Sequence, residues 1–254
     1  MFKTKKSLGQ NFLIDTSIVN RIIKSVDVKD NEKILEVGPG IGYLTKELKS
    51  FNSDLTCFEI DLDTKKYLDK LVDDKTKVIY KDFMKVDLNE YYNKDDKIHV
   101  IANIPYYITT PIIEKIIDSN LNILDMTLMV QKEVSDRLSS KPKSSEYGYI
   151  TVYLNYYFEV NKLFNVDKNC FNPAPKVDSA IIQLKKKDKI EVNEEIFFKL
   201  IKDSFRLKRK NLRNNLREYD LDKIETILSN HGLSLTSRAE ELSLEVFIDI
   251  ANNL

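Results

Sequence analysis

The residues best suited to chemistry lie in the run Asn103–Tyr107 (N-I-P-Y-Y), which follows an apolar stretch, 98–102, that predicts a buried strand. Pro105 has no N–H group and fixes its own φ angle, so the chain must turn and leave Asn103 at the strand's end. The Asn103 side-chain oxygen and a nearby backbone carbonyl can accept hydrogen bonds from an exocyclic amine, and Tyr106 offers an aromatic face beside them. The pattern predicts a site for a planar base that carries an NH2 group.

The amine of adenine is a poor nucleophile because its lone pair is delocalised into the ring. Two acceptors that hold both N–H bonds favour a pyramidal nitrogen with a localised lone pair. No general base is needed, since a methylated aminium is acidic and loses its proton to water. The motif contains no His or Glu, which fits this chemistry. The alternative interpretation is a strand end capped by Asn103, with Tyr106 only packing.

A glycine-rich turn, 36–45 (E-V-G-P-G-I-G-Y-L-T), follows another apolar run. Its three glycines at alternate positions allow a tight turn and a close approach of the backbone to a ligand. The dinucleotide fingerprint G-x-G-x-x-G is not satisfied because position 43 is Tyr, which disfavours NAD and favours a ligand without a pyrophosphate. Glu36, at the start of this segment, suits an ammonium group on such a ligand.

Two further acids end predicted strands. Glu59 lies near the end of the run 55–60, about twenty residues past the glycine-rich turn, where a carboxylate can accept from both hydroxyls of a ribose. Asp82 ends the next apolar run and can accept from an adenine amine. Each acid alone could be a solvated loop residue. At three successive strand ends, Glu36, Glu59 and Asp82 predict a nucleoside site on one edge of a parallel sheet.

The chain resembles class I S-adenosylmethionine-dependent methyltransferases and, more narrowly, the KsgA family of ribosomal RNA adenine dimethyltransferases. Six motifs in the family's order carry the resemblance, namely 8–13, 36–45, Glu59, Asp82-Phe83, Asn103–Tyr106 and 171–179 (F-N-P-A-P-K-V-D-S). One departure is Tyr107, where many members have Asn, and it bears on the shape of the pocket.

The resemblance implies roles for individual residues. Asn103 and the Ile104–Pro105 backbone would bind and orient the amine, while Tyr106 and Phe171 would sandwich the adenine. The cofactor would be S-adenosylmethionine, released as S-adenosylhomocysteine, and no metal is expected. The residues implied in cofactor binding are Gln10, Asn11, Leu13, Glu36, Gly38, Gly40, Gly42, Glu59, Ile60, Asp82, Phe83 and Asn103.

Apolar runs that alternate with helical patterns predict an α/β fold. The resemblance implies the Rossmann-like, seven-stranded, mostly parallel sheet of a class I methyltransferase. Strands are expected near 33–37, 55–60, 77–80, 98–102 and 124–130, with an antiparallel pair near 151–159 and 178–184. Because the pattern after residue 187 is helical only, we predict a catalytic domain at 1–187 and a small all-helical RNA-recognition domain at 188–254.

The formal net charge is zero, which by itself argues against a nucleic-acid binder. Positive charge is nevertheless concentrated at 199–217, where eight cations accompany one acid at a spacing that predicts a helix with basic and apolar faces. A solvated helix face is the usual meaning of such a run. Here the cluster and the base-sized pocket favour phosphate contacts, made by Lys208, Arg209, Lys210, Arg213 and Arg217.

The remaining features exclude other classes. The chain has no apolar run long enough to span a membrane, and its N-terminus lacks the apolar core of a secretory signal. Cys57 and Cys170 have no metal spacing and are expected to be reduced, as in a cytoplasmic protein; a nucleophilic Cys170 is the weaker alternative. His99 and His231 are isolated in sequence, so we expect neither to have a partner for metal or proton-transfer work.

The resemblance implies a substrate, namely two adjacent adenosines in the 3′-terminal hairpin of 16S rRNA. They would be presented on the 30S subunit to a monomeric enzyme and dimethylated during small-subunit biogenesis. The segments 210–216 and 238–243 resemble the helical domain of KsgA rather than that of the Erm antibiotic-resistance enzymes, which modify 23S rRNA. The alternatives are an Erm-type enzyme, a non-catalytic ribosome assembly factor, a DNA-binding factor on this fold and a DNA adenine methyltransferase.

Overall fold

The computed structural model of the chain describes residues 5 and 9–254. Its strands are β1 (Phe12–Leu13), β2 (Lys33–Val37), β3 (Asp54–Phe58), β4 (Thr76–Ile79), β5 (Ile98–Asn103), β6 (Ile123–Gln131), β7 (Phe158–Val166), β8 (Phe171–Asn172) and β9 (Ser179–Lys186). Its α-helices are α1 (Thr16–Ser25), α2 (Tyr43–Leu48), α3 (Lys65–Leu68), α4 (Thr109–Asp118), α5 (Lys132–Leu138), α6 (Tyr149–Tyr157), α7 (Glu194–Ser204), α8 (Leu212–Asn215), α9 (Leu221–Asn230) and α10 (Leu244–Asn253).

Seven strands form one mostly parallel sheet in the order β4-β3-β2-β5-β6-β9-β7, while β1 and β8 pair separately. The pairs β2–β3, β2–β5, β3–β4 and β5–β6 are parallel, and β9 runs antiparallel to β6. The apolar runs of β2 and β5 are buried along almost their full length, as expected of parallel strands covered on both faces. The predicted α/β sheet is confirmed, and the carboxyl ends of its parallel strands meet at one edge.

One predicted strand is wrong, because residues 151–159 lie mainly in helix α6 and the strand β7 begins only at Phe158. The run is rich in β-branched and aromatic residues, which favour strands. Gly148 nevertheless begins a helix, since its N–H donates to the Thr151 hydroxyl (3.3 Å) and its carbonyl accepts from the Thr151 N–H (3.0 Å). Val152, Leu154 and Tyr156 are buried, so the helix is apolar around most of its circumference and its sequence carries no clear period.

The chain divides into two compact units, each with its own core. Unit 1 comprises residues 1–135 and 161–186, and unit 2 comprises 136–160 and 187–254. Unit 2 therefore includes α6 and the segment before it. The single boundary predicted at residue 187 assigns both to the catalytic domain. In unit 2, α7 buries Phe197, Leu200 and Ile201, and the ring of Phe197 lies 5.0 Å from that of Tyr156.

Unit 1 supports its glycine-rich turn with an apolar core. Helix α1 begins at the N-cap Asp15, whose carboxylate accepts from the Ser17 N–H at 2.8 Å, and it buries Ile18, Val19 and Ile22. These side chains belong to one cluster with Leu44 and Leu48 of α2 and with apolar residues of β2 and β3. The core therefore holds the two strands that lead into the candidate site. Across the described part of the chain, no helix is long and apolar enough to cross a membrane.

Candidate active site

A cavity of about 260 Å³ opens in unit 1 at the carboxyl ends of β2, β3, β4 and β5. This is the edge at which parallel α/β sheets bind ligands. Most of the residues that the sequence singled out line it, namely Gln10, Asn11, Gly38, Gly40, Glu59, Ile60, Asp82, Phe83, Asn103, Ile104, Pro105 and Tyr106. The structure thus brings the predicted amine site and the predicted nucleoside site together around one cavity.

The glycine-rich turn requires glycine at two cavity positions. Gly38 and Gly40 have φ angles of 70° and 61°, a left-handed conformation that other residues seldom adopt. A methyl group at Gly40 would lie 2.6 Å from Cε1 of Phe12, so any side chain there would displace that ring. Phe12 lines the cavity too. The turn and β1 therefore fit together only because Gly40 has no side chain.

Glu59 anchors the turn. Its Oε2 accepts from the Gly40 N–H at 2.9 Å and its Oε1 accepts from the Asp61 N–H at 2.7 Å. The residue is buried, and burial raises the pKa of its carboxyl above the ordinary value, although these two hydrogen bonds oppose the shift. Each oxygen keeps acceptor capacity for a further donor. The carboxylate is thus held in place by the backbone and can bind a pair of hydroxyls.

Asp82 and Phe83 form the adjacent part of the wall. Asp82 is the N-cap of a short 3-10 turn, and its Oδ1 accepts from the Met84 N–H at 3.0 Å. Its other carboxylate oxygen, Oδ2, lies 4.0 Å from Lys85 Nζ at a partly exposed position and can accept from an incoming amine. Phe83 is buried and meets Phe58 edge to face, with ring centroids 5.6 Å apart. This packing fixes one apolar side of the cavity.

Asn103 lies at the last position of β5, as predicted. Its Nδ2 donates one hydrogen to the Asn11 carbonyl over 3.4 Å, which sets the orientation of the amide and leaves Oδ1 as the acceptor. Among described residues, none donates to Oδ1. The Pro105 carbonyl accepts from the Ile108 N–H at 3.2 Å, whereas the Ile104 carbonyl has no such donor in the described chain. Asn103 Oδ1 and the Ile104 carbonyl are therefore the pair of acceptors available to an amine.

Tyr106 is held through its hydroxyl, which shares a 2.6 Å hydrogen bond with the buried Ser179 Oγ at the start of β9. Burial raises the pKa of the phenol above its ordinary value, although the hydrogen bond with Ser179 opposes the shift. The side chain is half-buried and lines the cavity. An aromatic face is thus presented at a fixed position beside Asn103.

Sequence reasoning missed Asp61, which ties the N-terminal segment to the site. Its side chain is fully buried, its Oδ2 accepts from Gln10 Nε2 at 2.6 Å, and its Oδ1 pairs with Lys5 Nζ. Burial alone would raise the pKa of Asp61, but the hydrogen bonds from Lys5 and Gln10 outweigh it and the pKa is lowered. The hydrogen bond to Asp61 thus fixes the position of Gln10 in the cavity wall. Leu8 of the same motif lies outside the described residues.

Four predicted site residues do not line the cavity. Glu36 is 1% exposed, its Oε2 accepts from Cys57 Sγ at 3.4 Å, and burial raises the pKa of its carboxyl to about 7. Gly42, with φ 88°, is the N-cap of α2. Leu13 and Phe171 face each other across the β1–β8 pair and belong to the core. Neither side chain lines the cavity in this structure, and the contacts of Glu36 with an ammonium group and of Phe171 with a base stay predictions.

The basic segment of unit 2 does not form the single helix predicted for 199–217. Helix α7 ends at Ser204 because Asn215 Nδ2 donates to the Ser204 carbonyl (2.6 Å) and its Oδ1 accepts from the Leu207 N–H (3.2 Å). The buried Asn215 therefore folds the chain into a loop that leads into α8. All eight cations of the segment are exposed, and six of them follow the end of α7, namely Arg206, Lys208, Arg209, Lys210, Arg213 and Arg217. Within the described chain, their one ion pair joins Arg217 and Glu218 at 4.0 Å.

Both histidines, isolated in sequence, have carboxylate partners in the structure. Buried His99 contacts Glu32 Oε2 through Nε2 and Asp125 Oδ2 through Nδ1, each at 2.9 Å. Burial lowers the pKa of His99, but the two carboxylates outweigh it and raise the pKa above its ordinary value. His231 Nε2 lies 2.8 Å from Asp249 at the surface. His99 lies in the first half of β5, away from the strand end that carries Asn103, so it takes no part in the cavity.

Among the residues that the structure describes, no group of three or more His, Cys, Asp or Glu side chains has the arrangement of a metal site. Both cysteines are unpaired as disulfides. Burial raises the pKa of the Cys170 thiol, and its contact with Asp15 raises it further, which disfavours a nucleophilic thiolate. The cavity is lined by oxygen acceptors, aromatic side chains and glycine backbone.

Comparison with known proteins agrees with this geometry. A family model described as "Ribosomal RNA adenine dimethylase" matches residues 1–254. The ribosomal RNA small subunit methyltransferase A of Oceanobacillus iheyensis is 40% identical over 265 residues, which span 99% of this chain and 90% of the relative.

Two solved structures share the fold. A dimethyladenosine transferase from Plasmodium falciparum has a TM-score of 0.78 at 24% identity and covers 94% of this chain and 95% of its own. The 23S rRNA methyltransferase ErmE has a TM-score of 0.76 at 24% identity and covers 96% of this chain and 99% of its own. At that identity these two structures bear on the fold alone.

Proposed function

The chain belongs to the ribosomal RNA adenine dimethylase family, and we propose that it uses S-adenosylmethionine to dimethylate two adjacent adenosines of small-subunit ribosomal RNA. The observation that carries the proposal is that Asn103 and Tyr106 share one cavity with Glu59 and Asp82. Amine acceptors and an aromatic face thus stand beside two carboxylates suited to a nucleoside. Transfer of a methyl group from a nucleoside donor to adenine needs both sets at one place.

The acceptor set fits S-adenosylmethionine. Glu59 is buried and fixed by two backbone N–H groups, yet each of its oxygens can still accept from one ribose hydroxyl. Asp82 Oδ2 can accept from the adenine amine, and buried Phe83 supplies an apolar surface for the ring. Gly38 and Gly40 have no side chains to prevent close approach of the backbone. When bound, S-adenosylmethionine supplies an electrophilic methyl group on sulfur.

The protein's part in the chemistry is to hold the target amine. Asn103 Oδ1 and the Ile104 carbonyl accept its two N–H groups, which favours a pyramidal nitrogen with a localised lone pair. The Asn103 amide is oriented for this role because its Nδ2 donates to the Asn11 carbonyl. Catalysis is then mainly the alignment of nucleophile and methyl group. The methylated nitrogen loses its proton to water, which the open cavity admits.

Tyr106 is the aromatic face for the target adenine in this proposal. Its hydroxyl is engaged by Ser179, so the ring is positioned before the base arrives. A stacked base is stabilised by about 1–3 kcal/mol. Phe171 is 3% exposed within the core, and we assign it a supporting role instead, since its pairing with Leu13 holds the segment that carries Asn11 and Phe12.

The small subunit is the favoured substrate because the Oceanobacillus iheyensis relative, matched over nearly the full length of both chains, is a small-subunit enzyme by name. The likeness to ErmE is one of fold, so it gives weaker support for 23S rRNA. The exposed cations at 206–217 suit phosphate contacts with the RNA of a ribosomal particle. We therefore assign Lys208, Arg209, Lys210, Arg213 and Arg217 to RNA binding within the proposal.

The test is transfer from labelled S-adenosylmethionine to 30S subunits that lack the dimethyladenosines, with naked 23S rRNA in parallel. Mass spectrometry of the digested nucleosides identifies the product. We expect dimethyladenosine at two neighbouring positions of the 30S subunit and none in 23S rRNA. Product in 23S rRNA alone would assign the enzyme to the Erm branch. No transfer to either RNA, with S-adenosylmethionine still bound in calorimetry, would favour a non-catalytic assembly factor.

A further inference from the structure

A second aromatic side chain, Tyr107, lines the cavity but has no part in the mechanism above. It is 63% exposed, although large aromatic residues are usually buried over most of their surface. Among the described residues, none forms a hydrogen bond with its hydroxyl. Packing within the protein therefore does not explain why an aromatic ring lies exposed at this cavity.

One edge of the ring lies beside the backbone of Gly9. Gly9 has a φ angle of 61°, and a methyl group on it would lie 3.2 Å from Cε1 and 3.3 Å from Cδ1 of Tyr107. The edge of the ring therefore packs against the bare backbone of Gly9, and a larger residue there would push it away. Tyr107 thus has one edge against the protein, and the rest of its ring is open to a partner.

Tyr107 and Tyr106 serve different partners. Both belong to the short 3-10 turn Tyr106–Ile108, in which successive side chains point about 120° apart. Tyr106 is half-buried and fixed by Ser179, whereas Tyr107 is directed to a more exposed part of the same cavity. A base stacked on Tyr106 does not cover Tyr107, which leaves the second ring for a second planar group.

We propose that Tyr107 stacks on the base of the nucleotide next to the target adenosine and so positions the RNA strand at the cavity mouth. The inference rests on the proposed function, which places a single-stranded adenosine at Asn103. Stacking accepts any base because every base has a π face, so one ring can serve whichever neighbour flanks each target in turn. Lys81, exposed and lining the same cavity, adds positive charge suited to the RNA backbone.

Steady-state kinetics on 30S subunits lacking the dimethyladenosines test this role, with Tyr107→Ala and the matched control Tyr107→Phe. We expect Tyr107→Ala to raise KM for 30S subunits about 10-fold, the effect of losing one stacked base, with kcat and the S-adenosylmethionine Kd unchanged. Tyr107→Phe keeps the ring and should match the wild type. Equal KM values for all three proteins would overturn the proposal, as would an effect of Tyr107→Ala confined to cofactor binding.

A binding measurement that needs no turnover separates this inference from the proposed function. Fluorescence anisotropy is recorded with a labelled single-stranded RNA that contains two adjacent adenosines. It is recorded again with the same RNA in which the nucleotide next to the target adenosine is abasic. The wild type should lose about 10-fold in affinity for the abasic RNA, and Tyr107→Ala should bind both RNAs equally. The same loss in both proteins would refute stacking by Tyr107. If the wild type binds the intact RNA more tightly than the abasic RNA but does not methylate 30S subunits, the proposed substrate is refuted and stacking by Tyr107 is not.

Discussion

Replacement of Asn103 by Ala gives the sharpest test of how the cavity handles an amine. The change removes Oδ1, one of two acceptors for the target N–H groups, and leaves the Ile104 carbonyl in place. Little stability should be lost, because the one hydrogen bond that Asn103 makes through its side chain to a described residue is 3.4 Å long. Such a bond contributes about 0.5–1.5 kcal/mol at most. The variant should therefore fold and bind S-adenosylmethionine as the wild type does.

The expected loss is in kcat. The amine nitrogen gains positive charge as the methyl group is transferred, so the hydrogen bond to Oδ1 is stronger in the transition state than in the ground state. A hydrogen bond to a charged group contributes about 1.5–3 kcal/mol, which corresponds to a rate change of roughly 10- to 150-fold. We expect Asn103→Ala to fall near the upper end, since loss of one acceptor also weakens pyramidalisation of the nitrogen.

The assay is single-turnover methylation of 30S subunits at saturating S-adenosylmethionine, with cofactor binding measured separately by calorimetry. Asn103→Asp is the matched control, because it keeps an acceptor at Oδ1 while its second oxygen faces the Asn11 carbonyl without a proton to donate. It should retain more activity than Asn103→Ala. A rate for Asn103→Ala within threefold of the wild type would show that Oδ1 does not grip the amine in the transition state.

Three further predictions follow from other contacts. Glu59→Gln replaces one acceptor oxygen by an NH2 group that faces a backbone N–H, so it should raise the S-adenosylmethionine Kd about 10-fold or more in calorimetry; an unchanged Kd would contradict the ribose role. His99→Gln should make the free energy of unfolding depend less on pH. Because the pKa of His99 is raised in the folded state, its ion pairs stabilise the wild type fully below about pH 6.5, and this stabilisation is lost as pH rises through the folded pKa. In urea unfolding, the free energies of the wild type and the variant should therefore converge at alkaline pH. The triple substitution of Ala for Arg209, Lys210 and Arg213 should weaken 30S binding and flatten its salt dependence, with S-adenosylmethionine binding as the control; an unaltered salt slope would contradict phosphate contacts.

Sequence reasoning located the cavity well because its residues follow strand ends. Glu59, Asp82 and Asn103 come directly after or at the end of apolar runs, and parallel pairing brings such positions to one edge without further information. The order of the motifs then implied what each contributes. Helix α6 shows the limit of this reasoning, since a run of β-branched and aromatic residues buried on most sides has no period that separates helix from strand.

The partners of charged residues could not be predicted, because they depend on contacts distant in sequence. His99 and Glu32 lie 67 residues apart, and Gln10 and Asp61 lie 51 apart. The basic segment failed for a related reason. Its spacing is helical, yet Asn215 supplies side-chain hydrogen bonds that end α7 at Ser204 and hold the next residues in a loop. The hydrogen bonds of this one polar side chain therefore ended the helix although the sequence pattern is helical.

The pairing of β1 with β8 has a consequence for how the enzyme is made. The segment that supplies Asn11 and Phe12 to the cavity is synthesised long before its partner Phe171, and the nearby Asp15–Cys170 contact joins residues 155 apart in sequence. A chain still emerging from a ribosome therefore lacks the strand that pairs with this segment until β8 has been translated.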